Sequence, residues 1–574
     1  MGAVYTRVVT RQAPPIGPYV RQPASVVPWD PRTLTVAEAV TALVRDRRPD
    51  LVVEHIGSTA VPGLPGKGIV DLLIPTEPAD VAAVTALLFD LGFGPQPGDD
   101  PFPPSRPLLV GSMEVDGTTF RIHCHVQPRG EEMVRDLAFR DALRADPELT
   151  AAYAALKSEI VAGGYHQSYQ YTYRKQAWIA AVHRRLGVRR TPIAPPATIG
   201  ILGGGQLGRM LAQAARSMGY RVAVLDPDPD CPAAAVADHL VLGSYDDVGA
   251  ALRLADLCAV VTYELEHVAA AVVDALEVHV PVRPGRYPLV STQDRIAERR
   301  FIELAGGSVA PWREVRTTDE LRAAADALGL PLRLKAATGG YDGRSQIRIA
   351  TNGELDGAIE RLGRPPGASL LAEVELAFRD ELSVVVARGP DGETAAFPVA
   401  LNVHDAGILV ESVAPAPIPP ETADRATQIG LDLATAMGLC GTLTAELFWV
   451  SDDLIVNELA PRVHNSGHWT LDGAETSQFE QHIRAITGLG LGSPTALAPT
   501  AVVNLLGTGP VRDARLTGLG EALADPSVHL HLYDKRRVFE RRKMGHLSAI
   551  GQDVDAALER ARRARAALHW EGET

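Results

Sequence analysis

Cysteine is scarce in this chain of 574 residues: Cys124, Cys231, Cys258 and Cys440 stand far apart and in no metal-binding spacing. That excludes a disulfide scaffold and suits a reducing cytoplasm. No apolar run approaches the length of a membrane span and none follows a signal-peptide plan, so the expectation is a soluble cytoplasmic protein with no membrane partner. Positive charge is also in deficit. A formal net charge of −14 argues against a nucleic-acid partner and leaves only local Arg and Lys to hold phosphate. The first 29 residues contain no acid, and Met1-Gly2 with Thr6 matches the myristoylation pattern; without polybasic support, residues 1–25 read as a disordered tail. What is plentiful is apolar residues, 46% of the chain, enough for several cores, and the length implies about three or four domains.

Residues 26–188 form one block ending in an amphipathic helix around Lys175 to Arg185, and 189–197, with Pro192, Pro195 and Pro196, reads as a semi-rigid linker. The pattern then restarts with the strand Thr198-Ile-Gly-Ile-Leu202, as expected of a fusion of two independent units. Gly203-Gly-Gly-Gln-Leu-Gly208 follows, then a helical run and a strand closing on Asp226. This is the fingerprint of a bound dinucleotide, which would make the chain an oxidoreductase. Its physics alone says only that N–H groups at a helix N-terminus hold some anion, and local sequence leaves both readings open.

The densest chemistry lies in Ile455 to Trp469, where Asn457, Glu458, Arg462, His464 and His468 follow a short apolar strand. With Thr442 to Val450 it forms a hairpin turning at Ser451-Asp452-Asp453. A register centred on Asp452 sets Glu446 opposite Glu458, and facing carboxylates ask for a cation between them. Oxygen ligands suit Mg²⁺ shared with nucleotide phosphates, although a solvated edge hairpin would carry the same pair. Upstream, Lys335 ends a short strand before Thr338-Gly-Gly-Tyr-Asp-Gly-Arg-Ser-Gln346, a lysine beside a glycine-rich loop that could cover polyphosphate or simply turn. Glu373 and Glu381 flank a strand-linker-strand passage.

Together these segments resemble the ATP-grasp superfamily and, within it, the N5-carboxyaminoimidazole ribonucleotide synthetase (PurK) family. The agreement runs from about Thr198 to the C-terminus, through GGGQLGRML, TGGYDGR, NELAPRVHNSGHWT and RKMGH. The resemblance implies a multidomain α/β and α+β architecture: a Rossmann-like pre-ATP-grasp domain at 198–292, an ATP-grasp domain at 293–492 and a small β-rich C-terminal domain at 493–574. It implies carboxylation of 5-aminoimidazole ribonucleotide by bicarbonate in purine synthesis, with ATP and Mg²⁺ and neither biotin nor NAD; a grasp ligase acting on another amine or carboxylate is the alternative. By position, ATP would meet Arg295, Lys335, the loop Gly340, Tyr341, Asp342, Gly343, Arg344, Ser345 and Gln346, the hinge Glu373, Val374, Glu375 and Leu376, then Glu381, His404, Asn457 and Glu458. Glu446 and Glu458 would hold the metal, Arg462 and His464 bicarbonate, and Tyr341 and Asp342 the substrate amine. Gln206, Leu207, Glu264, Asn465, Ser466, Lys535 and Arg542 would hold the ribonucleotide, the last two at its phosphate or else as a solvated basic face. A homodimer and hand-over of product to the next enzyme, a mutase, are also implied. The chain departs from the family at Ser345 and at Phe539-Glu-Arg541, where the family has glycine and an Arg-Pro-Gly turn.

In the first block, Glu54 to Asp71 couples a Gly-Ser turn to a strand bearing an acid. This resembles nucleotidyltransferase folds and, more closely, the GrpB family, with further matches at Phe120 to Val126, Phe139 to Arg144 and Tyr173 to Lys175. The resemblance implies an α+β domain in which Gly57 and Ser58 grip phosphate and Asp71 binds metal. Leu73 stands where a second acid is usual. His123 and His125 alternate along one strand, so they share a face and could join Asp71 around a metal, or could be structural in a nucleotide-binding or noncatalytic module.

Overall fold

The computed structural model describes residues 14–97, 102, 106–166, 168–339, 345–365 and 367–572. The chain divides into two compact units between Arg190 and Thr191.

In the first unit the strand Ile69–Thr76 is buried at almost every position and lies inside a five-stranded mixed sheet, parallel to Thr118–Pro128 and antiparallel to Glu54–Ile56. A strand covered on both faces is where such an apolar run is stable. Ile122, Cys124 and Val126 pack into the core that also receives the helices Arg32–Arg47 and Val81–Leu91. The two-residue period therefore turns Arg121, His123 and His125 to the other face.

The expected disordered tail ends earlier than residue 25. Residues 1–13 lie outside the described residues, but Ile16 is buried in the sheet core, Gly17 exchanges backbone hydrogen bonds with Ser112, and Ala24 is buried beside Ile160 and Tyr171. An apolar side chain every few residues and a glycine that fits against Ser112 are enough to hold an otherwise irregular segment.

The second unit opens with a parallel sheet ordered His239–Leu242, Arg221–Asp226, Thr198–Leu202, Val260–Tyr263 and flanked by helices, the Rossmann-like arrangement. The proline-rich connection is laid on this unit: Ile193 donates to the Thr487 carbonyl, and the Tyr220 hydroxyl donates to Ile193. A four-stranded antiparallel sheet follows, ordered Trp312–Val315, Leu370–Val374, Leu332–Ala336, Gln346–Ile349. Most of the remaining strands build a nine-stranded sheet from Asp453–Ala460 to Val528–Leu532, and two short ladders, Arg512–Asp513 with Arg537–Val538 and Leu516–Thr517 with His569–Trp570, stand apart from it. The C-terminal strands Thr500–Leu506 and Lys543–Ile550 pair into this same sheet, so the β-rich C-terminal segment extends the preceding domain. Among the described residues, no helix is long and apolar enough to cross a membrane.

Candidate active site

A cleft of about 800 Å³ lies between the four-stranded and nine-stranded sheets of the second unit. Its floor is the hairpin Gly441–Val450 and Asp453–Ala460. Near the turn the pairs are Val450 with Asp453 and Leu447 with Val456, a register centred between Ser451 and Asp452 that by itself would set Glu446 against Asn457. A β-bulge intervenes between Glu446 and Leu447, and beyond it Glu446 stands opposite Glu458. The turn is two residues long, with Ser451 at φ 53°, and the extra residue Asn457 restores the expected pairing.

Around this pair lies an alternating charge lattice. Arg299 is almost fully buried between Glu298, at 3.1 Å, and Glu373, at 3.0 Å; Lys335 also pairs with Glu373, and Arg295 with Glu458 at 3.2 Å. Burial would raise the Glu373 carboxyl, but Lys335 and Arg299 outweigh it and hold it below the usual range. Glu458 is likewise held down, by Arg295 and Lys335 against desolvation. Desolvation and the charge of Glu458 push Glu446 up to about 7. Among the described residues there, Arg295, Arg299 and Lys335 are each engaged by Glu298, Glu373 or Glu458, with burial pushing Glu298 up to about 7, so a triphosphate calls for a further cation. The facing pair Glu446 and Glu458 meets that need, since oxygen donors on an acidic floor fit Mg²⁺ shared with phosphate oxygens.

The upper wall is the hinge. Val374, Glu375 and Leu376 line the cleft beside Phe378 and Phe448, whose rings stack with centroids 4.4 Å apart, a flat apolar face suited to a purine. Opposite, Glu381 pairs with His404 at 2.5 Å and raises the imidazole despite its burial. Ser345 and Gln346 line the cleft as well, whereas Gly340, Tyr341, Asp342, Gly343 and Arg344 lie outside the described residues.

At the far end Arg462 forms a two-point pair with Glu266, at 2.8 and 3.0 Å. His464 is kept neutral by burial and the nearby Arg462; its Nδ1 meets the Ser466 hydroxyl at 2.9 Å and its Nε2 lies 3.3 Å from Glu446. Asn465 lines the cleft, is 9% exposed, and among the described residues neither end of its amide has a hydrogen-bond partner. A buried amide without partners is a strained arrangement unless a ligand completes it.

The glycine fingerprint takes a different part from the one its motif announces. Gly205 and Gly208 donate their N–H groups to the Glu264 carboxylate at 2.9 and 3.0 Å, and Gly204 donates to Asp226 at 2.7 Å. The anion at this helix N-terminus is supplied by the protein, and Asp226 is also engaged by the Tyr245 hydroxyl. Asp226, the acid of the dinucleotide reading, is thus spent on the loop itself, as is Glu264. Glu264 therefore positions Gln206 and Leu207, which do line the cleft, and is not itself on its wall. Ser466 lies behind His464. Lys535 and Arg542 are also off the wall: Lys535 donates to the Lys543 carbonyl within Coulomb range of Glu264, and Arg542 lies over the Phe539 ring. The cleft-lining lysine of that segment is Lys543.

Sequence reasoning missed Arg299, Glu298, Glu266, Phe378, Phe448 and Lys543. Arg299 had a signal, since it follows Arg295 by one helical turn in Arg295–Leu304. The two phenylalanines had none, because they meet only when two strands of the large sheet pair.

In the first unit, Asp71 pairs in register with His123 across parallel strands, and His123 Nδ1 and His125 Nε2 lie 3.4 and 3.7 Å from Asp71 Oδ1. Gly57, at φ 72°, packs its bare Cα against Asp71, where a Cβ would come within 2.3 Å of Oδ2. Ser58 lines a second cavity of about 610 Å³ with Lys67 and Arg121.

Comparison with known proteins divides the chain in the same way. Family models match at residues 23–185 (GrpB protein), 196–293 (ribonucleotide synthetase preATP-grasp domain), 300–479 (ATP-grasp domain) and 500–560 (phosphoribosylaminoimidazole carboxylase C-terminal domain). The N5-carboxyaminoimidazole ribonucleotide synthase of Bacillus subtilis (strain 168) is 41% identical over 364 residues, 63% of this chain and 94% of that protein. A crystal structure of an N5-carboxyaminoimidazole ribonucleotide synthetase with ADP superposes with a TM-score of 0.60 at 42% identity, covering 65% of this chain and 97% of the other. The enzyme of Aspergillus clavatus in complex with ADP and 5-aminoimidazole ribonucleotide gives 0.60 at 30% identity, covering 65% and 98%.

Proposed function

This chain belongs to the N5-carboxyaminoimidazole ribonucleotide synthase family, and from that premise we propose how its cleft performs the reaction. The enzyme is an ATP-dependent carbon–nitrogen ligase that joins bicarbonate to the amine of 5-aminoimidazole ribonucleotide in purine synthesis. Bicarbonate is a poor electrophile. One of its oxygens attacks the γ-phosphorus of ATP, ADP leaves, and the resulting carboxyphosphate is attacked at carbon by the substrate amine with loss of phosphate. Such an intermediate hydrolyses readily, so the site must exclude water during its lifetime.

The adenine lies against Phe378 and Phe448 beside the hinge, the ribose at Glu381 paired with His404, and the phosphates run toward Lys335 and Arg295. Glu446 and Glu458 would hold Mg²⁺, which would neutralise charge on the phosphoryl oxygens. Arg462, oriented by Glu266, and the neutral His464 hold bicarbonate next to that floor. Tyr341 and Asp342 receive the substrate amine and its proton. Asn465 and the loop of Gln206 and Leu207 hold the ribonucleotide, whose phosphate reaches Lys535 and Arg542 beyond the cleft wall. The observation that carries this reading is the cleft floor, where Glu446, facing Glu458, stands 3.3 Å from His464 and so links the phosphoryl-transfer and carboxyl-transfer halves.

ADP release measured with bicarbonate, with and without 5-aminoimidazole ribonucleotide, tests it. Turnover that depends on the ribonucleotide is expected, and its absence would overturn the reading. We further place the enzyme in the cytoplasm, in keeping with its four free cysteines, as a homodimer that hands its product to the following mutase. Sedimentation of the full chain and coupled assays with that mutase test these two points.

A further inference from the structure

We propose that the first unit carries a mononuclear site for a borderline divalent transition metal, such as Zn²⁺ or Co²⁺, built from Asp71, His123 and His125. The ligand atoms of the three side chains all lie within 4.8 Å of one another. The separations of 3.4 and 3.7 Å between each imidazole nitrogen and Asp71 Oδ1 are long for direct N–H···O hydrogen bonds, which run about 2.7–3.2 Å. They fit two ligands on one ion: atoms each about 2.1 Å from a tetrahedral centre stand about 3.4 Å apart. The set is built by the sheet, since Asp71 and His123 are register partners on adjacent parallel strands and His125 follows on the same face.

The surroundings prepare the donors. His123 Nε2 meets the Tyr19 hydroxyl at 3.1 Å; a proton held there leaves the lone pair of Nδ1 for the metal, the outer hydrogen bond that orients a ligating imidazole. Tyr19 belongs to the N-terminal segment that Gly17 fastens to the sheet, which gives that segment a purpose. Gly57 clears the space into which Asp71 Oδ2 projects. Leu73, the next residue of the strand on that face, is fully buried and offers no oxygen. Two nitrogens and one carboxylate select a borderline ion over Mg²⁺, and three protein ligands leave a coordination position for an exogenous group.

The test is a Co²⁺ titration of the metal-stripped full-length protein followed by visible absorption. One equivalent should develop a ligand-field band that a hundredfold excess of Mg²⁺ does not remove. The band should persist in Glu458→Gln, where the cleft site is disabled, and be lost in His125→Gln and His123→Gln. Tyr19→Phe, which removes no ligand, should weaken Co²⁺ about tenfold. Thermal unfolding keeps the answer independent of folding defects: Co²⁺ should raise the midpoint of wild type and of Glu458→Gln but not that of His125→Gln. A band that survives both histidine substitutions, disappears in Glu458→Gln, or yields to Mg²⁺ overturns the proposal.

Discussion

Glu446 and Glu458 face each other because one residue, Asn457, bulges out of the strand between them and the turn. Two carboxylates are thereby held together on a floor where desolvation and mutual repulsion raise Glu446 to about 7. A proton and a metal compete for it. Divalent-metal affinity should therefore fall as pH drops through about 7, by up to about tenfold per unit, and level off above it. Titration with Mn²⁺ followed by electron paramagnetic resonance, in the His125→Gln background, checks this; a pH-independent affinity between 5.5 and 7 would contradict it.

The same shift has a stability sign. A carboxyl whose folded pKa lies above its ordinary value near 4.5 favours the fold only while protonated, so its contribution declines as pH rises from there through about 7. Glu446→Gln should make the ligand-free protein more stable at pH 8, on the order of 1 kcal/mol after allowance for solvent reaching the cleft, and should abolish metal-dependent turnover. Denaturant unfolding at pH 5 and pH 8 measures the first effect, and ADP release the second.

Glu373 has the opposite sign. Its lowered carboxyl contributes stability above the ordinary value, lost as pH falls through the lower folded one. Glu373→Gln leaves Arg299 and Lys335 buried without their shared counter-ion and should cost about 3–5 kcal/mol at pH 7, with the deficit narrowing in acid. Chemical denaturation across pH measures it.

Asn465→Ala should leave the ligand-free stability within about 1 kcal/mol of wild type, because the amide it removes has no partner among the described residues, and should raise KM for the ribonucleotide about tenfold, the worth of one good hydrogen bond. An unchanged KM would remove Asn465 from the substrate site.

Arg541 occupies a left-handed backbone position, φ 63°, in the turn where related sequences are expected to place glycine, and pairs with Asp405 at 2.9 Å. Asp405 leads into Ala406 and Gly407, which line the cleft. The altered turn thus fastens the C-terminal segment to a hairpin of the ATP site. The left-handed conformation costs about 1–2 kcal/mol and an exposed ion pair returns about 0–1. Arg541→Gly should accordingly stabilise the protein by about 1 kcal/mol in thermal unfolding and raise KM for ATP severalfold by releasing the hairpin.

Much of this molecule is legible along the chain. The strand, glycine turn and helix at Thr198 to Ser217 and the alternating His123 and His125 follow from local spacing, because strands repeat every two residues and turns demand particular side chains; the expected facing of Glu446 and Glu458 is reached only through the bulge at Asn457, which spacing does not reveal. Of the residues carried over from the family motifs, Arg295, Lys335, Glu381, His404, Glu446 and Glu458 line the cleft, and their roles there are proposed. Local sequence could not tell that the glycine loop's N–H groups are taken by Glu264 and Asp226, which arrive from other strands of the same sheet. Nor could it show that Arg299 and Lys335 share Glu373, that Phe378 and Phe448 stack, or that Tyr19 belongs to the fold. Residue types and their periodicity determined which groups could act. Which carboxylate meets which cation was decided only when strands distant in sequence paired, since Coulomb and hydrogen-bond energies depend on separations of a few ångströms that the order of residues does not contain.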